Sequence, residues 1–188
     1  MDEPNPEAPS SGALVLTAGV FYLLMSLVGL GLLLVQDLEF ETAVLGDGSE
    51  VGRDCLLGAG CGLVVVGLTW LCRGLAVVEA LNEELRALLG RPSSLAIALL
   101  AVSSAVGEEI FFRGALQPLL GFWITAVLFG LLHGGSSPRF RVWTVFAMVA
   151  GLLLGWLATY TENLLAPILC HMTINYFNLH LVVGTEPT

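Results

Sequence analysis

Gly107-Glu108-Glu109-Ile110-Phe111-Phe112-Arg113 sets two adjacent carboxylates inside an otherwise apolar stretch, between Leu95–Val106 and the apolar residues that follow Pro118. At the centre of a membrane helix one acidic residue costs about 2.5–3.5 kcal/mol on insertion scales. Two in a row rarely persist there as decoration, and intramembrane ionisable groups default to function.

The surrounding chain decides the solvent. Its 188 residues are 56% hydrophobic and 12% charged, with a mean hydropathy of +0.85, whereas soluble proteins are about 25% charged. That composition predicts an all-α protein, a polytopic membrane helical bundle with short loops. About six transmembrane helices are expected, over 12–35, 55–78, 94–117, 121–137, 142–160 and 163–183. Each is near the ~20 residues that cross the hydrocarbon. Each must be helical, because lipid offers backbone groups no partners, and the runs lack the period-two alternation of strands. Gly58-x-x-x-Gly62 and Gly151-x-x-x-Gly155 are read as generic small-residue packing between helices.

The chain divides into an acidic, flexible tail over 1–11, two N-terminal helices with an interfacial segment over 12–92, a core over 93–183 and a short tail over 184–188. Residues 79–94 read as an extension of the second helix with Leu81, Leu85, Leu88 and Leu89 on one face, ended by Gly90 and Pro92. The tail lacks the basic region of a cleavable signal, and the first apolar run, of about 23 residues, is too long for one, so a retained helix is expected.

The formal net charge is −9, with seven Arg and no Lys. No basic patch or motif points to nucleic acid. The four cysteines, Cys55, Cys61, Cys72 and Cys170, have no C-x-x-C spacing and read as small apolar residues. Arg86, Arg91, Arg139 and Arg141, with Arg73 close by, fall on the N-terminal side of the bundle, and Arg53 on the other. The positive-inside rule then puts both termini in the cytoplasm. Arg without Lys, with abundant Gly, Ala, Leu and Val, suggests a high-GC bacterial genome and hence an inner-membrane protein.

Three groups could carry chemistry. Glu109 and Arg113 are four apart on a helix and can pair, while Glu108 is turned about 100° away and left free to enter a polar cavity. A desolvated carboxylate suits a general base; the alternative is that both carboxylates hold helices together through Arg113. His133 closes Phe129-Gly130-Leu131-Leu132-His133 in the fourth helix, where a lone His also serves as an interhelical hydrogen bond. His171 and Asn175, again four apart, face one way and suit the donation of two hydrogen bonds to an oxyanion. A polar contact between helices is the other possibility. His180 is expected to be interfacial, without a role.

Glu108-Glu109-x-x-x-Arg113, then Phe129-x-x-x-His133, then His171-x-x-x-Asn175, resembles the ordered motif set of the CPBP intramembrane proteases. These are the CAAX-protease and bacteriocin-processing proteins, also called the ABI family, which includes the Ras-converting CAAX endopeptidase. The resemblance spans about residues 93–183, without departure at the seven positions. It implies a catalytic core in the last four helices and an intramembrane glutamic endopeptidase, cutting near the C-terminus or leader of a membrane-associated protein or peptide substrate. Glu108 would activate water with help from His133. His171 and Asn175 would form the oxyanion hole, and Glu109 and Arg113 would orient the site. Phe129 would be a supporting residue. No cofactor is expected. The alternative is zinc held by Glu108, His133 and His171, although no H-E-x-x-H occurs. A non-catalytic scaffold or immunity protein of the same fold, and a proton-coupled transporter, are the competing functions. The substrate stays open among prenylated C-termini, bacteriocin leaders and C-terminal sorting tails, with the bacterial composition weighing against the first.

Overall fold

The computed structural model describes residues 10–37 and 39–184. Residues 1–9 of the expected acidic tail and 185–188 of the C-terminal tail lie outside the described residues. All regular structure among the described residues is helical. In chain order the helices are α1 (Ser11–Val35), α2 (Phe40–Leu45), α3 (Val51–Cys72), α4 (Ala76–Leu89), α5 (Ser94–Glu109), α6 (Gln117–Leu120), α7 (Phe122–Leu132), α8 (Phe140–Thr161) and α9 (Leu165–Gly184). A π-helical turn, Ile110–Leu116, joins α5 to α6.

Four helical stretches are long and apolar enough to cross a membrane: Ser11–Val35, Val51–Cys72, Ser94–Leu120 and Phe140–Thr161. The most apolar part of Ser94–Leu120 is 61% buried, against 11% in the first two, so the helix that carries the two glutamates is the central one. It packs between α1 and α9, while α3 lies along α9 and α7 along α8. The polytopic helical bundle expected from composition is the observed architecture.

The individual helices depart from expectation in informative places. The fourth expected helix, 121–137, ends at Leu132. Its 11 residues rise only about 16 Å, half of what a span needs. Gly134 and Gly135 stop it, and a Cβ at Gly135 would sit 2.7 Å from the Phe140 ring. Non-helical backbone at membrane depth survives only inside protein or along a polar cavity, so the early stop is itself a sign of a site. The sixth, α9, has 20 residues, but Pro167, His171, Asn175, Asn178 and His180 keep it outside the four apolar stretches.

Residues 79–94 do not extend the second helix. A turn at Arg73–Leu75 separates α3 from α4. Of its four leucines, Leu81 is buried and Leu85 and Leu89 half-buried, whereas Leu88 points outward. The four positions fall within about 100° of one another around the helix, and Leu88 stays 56% exposed although it lies on the expected face. The acidic connection over 37–54 contains α2 and a tight turn. There Ser49 donates from its N–H and Oγ to Asp47 Oδ1, holding that carboxyl below its usual range.

Serine caps begin α1 and α5: Ser10 accepts from the Ala13 N–H and Ser93 from the Ala96 N–H, each worth about 1 kcal/mol. The two small-residue pairs do more than fill space. A Cβ at Gly58 would collide with the Ala166 carbonyl oxygen, and one at Gly62 would lie 2.7 Å from Thr173 Cβ, so α3 and α9 touch backbone to backbone. Gly60, on the far side of α3, has open space. Gly58→Ala should therefore lower the thermal midpoint in detergent, by the equivalent of about 1–3 kcal/mol for overpacking. Gly60→Ala should leave it unchanged or slightly raised.

Candidate active site

The last turn of α5 and the π turn that follows are enclosed on nearly every side: residues 107–110 and 112–115 are all buried, and only Phe111 between them is half-buried. A π turn widens the helix and re-aims side chains, which is why such turns collect at functional sites. Glu109 and Arg113 pair across it, with Arg113 Nη1 3.0 Å from Glu109 Oε1, and neither side chain is exposed at all. Arg113 Nη2 donates to the Gly151 carbonyl of α8 at 3.3 Å, and the guanidinium lies 4.2 Å from the centre of the Phe129 ring. A buried ion pair is tolerated only with this kind of additional bonding. A planar guanidinium can bond and stack at once, which an ammonium cannot.

Glu109 Oε1 has a second partner, His171 Nδ1, at 2.7 Å. A carboxylate accepts, so Nδ1 carries the proton and Nε2 points the other way. The same logic orients His133, the C-cap of α7. Its Nδ1–H donates to the Phe129 carbonyl at 2.7 Å. The two anchored rings turn Nε2 toward one atom: Glu108 Oε2 is 3.7 Å from His133 Nε2 and 3.9 Å from His171 Nε2. Those separations are too long for hydrogen bonds. Glu108 is 5% exposed, and Oε2 has no hydrogen-bond partner among the described residues. One turn along α9, Asn175 Nδ2 donates to Ser104 Oγ at 2.9 Å.

A cavity of about 20 Å³ opens against His133, His171 and Asn175, walled by Trp143, Phe146 and other apolar groups of α8. That is room for one water molecule. Glu108 is not on its wall and approaches it through the two imidazoles. A far larger cavity, about 740 Å³, lies at the opposite end of the bundle between the 37–43 and 158–164 segments. It holds neither histidine nor Asn175 and meets the site only at Arg113, so size does not mark the chemistry here.

The structure thus brings Glu108, His133, His171 and Asn175 from two helices and the end of a third to one place, with Glu109, Arg113 and Phe129 bracing them. His180 stands apart, edge-on to Tyr176. Ser104 and Tyr22 were not singled out in the sequence. Ser104 had a signal, standing one turn before Glu108 on the same face. Tyr22 had none: it comes from α1, whose backbone at Tyr22 packs against Gly107, the residue before Glu108. As for zinc, no three His, Cys, Asp or Glu among the described residues are grouped to hold a metal ion. Ligands about 2.0–2.1 Å from a tetrahedral zinc stand about 3.3 Å apart, closer than the two spacings at Glu108.

The fold defines an integral membrane protein, a helical bundle with four stretches able to cross a bilayer. Residues 90–177 match the family described as Type II CAAX prenyl endopeptidase Rce1-like. Over 81 residues the chain is 36% identical to the uncharacterized protein YpbD of Bacillus subtilis (strain 168). The match covers 42% of this chain and 41% of YpbD, so the chain spans less than half of that relative's length. No solved structure matches.

Removing Arg113 would strand Glu109. Arg113→Leu should destabilise the folded protein by about 3–5 kcal/mol, the usual cost of one orphaned buried charge. Glu109→Leu combined with Arg113→Leu should recover part of that loss. Chemical unfolding in detergent micelles, followed by tryptophan fluorescence, measures both.

Proposed function

We propose that the chain is an intramembrane endopeptidase that hydrolyses a peptide bond near the C-terminus, or in the leader, of a membrane-associated protein. Amide hydrolysis within a bilayer needs an activated water, a base and donors for the oxyanion. The single observation that carries the proposal is the orphaned Glu108 Oε2 facing two imidazole Nε2 atoms beside a one-water cavity. Groups that each lie about 2.8 Å from one water oxygen, at roughly a right angle, stand about 4 Å apart. The 3.7 and 3.9 Å separations suit that arrangement.

In this scheme Glu108 takes a proton from the water while His133 Nε2 holds the water in line. The oxygen attacks the carbonyl carbon of the scissile bond. The carbonyl π electrons move to its oxygen, which accepts from Asn175 and from His171 protonated at Nε2. The C–N bond then breaks, and the proton held by Glu108 passes to the departing amine. Glu109 and Arg113 touch no reacting atom; they hold His171 by its Nδ1–H. The Arg distribution supports cytoplasmic termini, and the composition supports a bacterial inner membrane. The bilayer and a membrane-associated protein or peptide are the partners.

Glu108→Gln should lower cleavage of a reconstituted peptide substrate by about 10²–10⁴-fold, the usual contribution of a general base. The variant should melt as the wild type does, because Oε2 bonds to nothing that the amide would lose. Asn175→Ala should cost about 10²-fold or more. Cleavage should survive a strong zinc chelator. Wild-type cleavage by Glu108→Gln would overturn the proposal, and a biological effect retained in that variant without cleavage would favour a scaffold.

A further inference from the structure

We propose that α4 is a strap that holds the site shut: Glu83 and Glu84 fasten the segment after His133, and their release lets α8 part from α9 so that a peptide can enter. The entry step rests on the protease proposal; the strap itself does not. The cavity beside the two histidines and Asn175 is about 20 Å³, whereas a site for a peptide-sized ligand needs about 300 Å³ or more. A helix must therefore move before a substrate can meet Glu108.

The packing points to the moving part. His133 and the α8 wall of the cavity belong to a hairpin, α7 with α8, while Glu108, His171 and Asn175 belong to the group in which α5 lies between α1 and α9. The hairpin's α8 rests far more on α7 than on α9, so the site lies on a sparsely packed seam. One end of that seam is tied by Arg113, whose Nη2 bonds the Gly151 carbonyl and whose guanidinium lies over Phe129. About 18 Å further down α8, at Arg139, the tie is α4, which touches both α8 and α9. Ser137 Oγ donates to Glu84 Oε1 at 2.9 Å. Arg139 Nη1 stands 3.4 Å from Glu83 Oε2 and 3.9 Å from Glu84 Oε1.

The two ties differ in kind. Neither side chain of the Arg113–Glu109 pair is exposed, and breaking such a pair strands a buried charge. The charged side chains of the strap are between 30% and 61% exposed, where ion pairs are weak and salt screens them. Leu81 is the one buried residue of α4, so little apolar packing holds the strap down. Motion is therefore easiest at this end: the seam hinges at Arg113 and opens at α4. Ser137 stands four residues beyond His133, so the same movement carries the imidazole away from Glu108 and back. Entry and assembly of the site are then one event.

Ala147, on the cavity wall and 3% exposed, supplies a reporter. In full-length Ala147→Cys in lipid nanodiscs, the rate at which a charged, water-soluble methanethiosulfonate reacts at position 147 would be followed by peptide mass spectrometry. Adding Glu83→Ala and Glu84→Ala, which keep good helix formers in α4, should raise that rate about tenfold, the size expected for losing one charge-assisted hydrogen bond and a surface ion pair. Glu79→Ala, exposed on the same helix but outside the strap's contacts, should leave the rate unchanged. An unmoved rate in the Glu83/Glu84 double variant overturns the proposal. So does an equal rise at the native, fully buried Cys170, which would mean loosening of the whole bundle. Labelling needs no turnover, so a faster rate in a protein that cleaves nothing would sink the protease proposal and leave the strap standing. In a protein that cleaves, Glu84→Cys and Ser137→Cys joined by a short reducible linker should abolish cleavage, and a reductant should restore it. A locked protein that cleaves at its unlocked rate also overturns the proposal.

Discussion

A carboxylate with no solvent contact must be compensated where it stands, and the compensation of Glu109 organises the bundle. Arg113 and His171 share one oxygen of that carboxylate at 3.0 and 2.7 Å. The guanidinium then reaches α8 through the Gly151 carbonyl and α7 through the Phe129 ring. One charge thereby fixes the relative placement of α5, α7, α8 and α9. Association of apolar helices in lipid has little hydrophobic drive, so close packing and polar contacts must specify it. The small residues on α3 and α8 supply the close packing, and the Glu109 network supplies the direction. With Glu109 holding the cation, Glu108 is left uncommitted. Two adjacent, chemically identical residues thus acquire opposite roles from a rotation of about 100°.

Irregular backbone gathers at the same level. The π turn begins immediately after Glu109, and α7 stops one residue before His133. Counted from Ser94, Glu108 lies about 21 Å along its helix, and His171 lies about the same distance from the far end of α9. His133 comes to this level only because α7 ends early. A continuous helix through 137 would have carried its ring on a regular helical face. The C-cap conformation instead lets Nδ1 close back on the Phe129 carbonyl and swings Nε2 toward Glu108. The interruption is sheltered by Trp143 and Phe146, which keeps its backbone inside protein rather than against lipid.

Much of this was legible in the residues. Composition gave the bundle, because no soluble core needs so few charges over this length. The i,i+4 spacing of Glu109 and Arg113 gave their pair, and that of His171 and Asn175 gave a shared face. What could not be read were events that depend on tertiary contact or on competition between weak signals. Hydropathy runs unbroken from Phe122 to Leu132, so the Gly134-Gly135 stop had to compete with the expectation of a full span. Arg73-Gly74 broke the second helix for the same reason, a short polar signal inside a long apolar one. The packing of α1 was beyond reach: Tyr22 is one aromatic among many on a lipid-facing helix, and only the missing side chain at Gly107 lets α1 close on α5 there.

The same network separates two polar regions that must not merge. The 740 Å³ cavity at one end reaches down to Arg113, and the one-water cavity begins beyond Phe129. Between them stand the guanidinium, the Phe112 and Phe129 rings packed edge to face with 5.0 Å between centres, and Leu154, which is 1% exposed. Arg113 is charged, but both its Nη atoms are bound to fixed acceptors, so it bars water without relaying it. A proton-coupled transporter of this size would need those regions to connect in some state, through helices broken to let them move. Here the break in α7 serves to present a side chain, and the guanidinium between the two cavities is tied to Glu109 and to the Gly151 carbonyl. The arrangement favours chemistry at a closed site over passage through it.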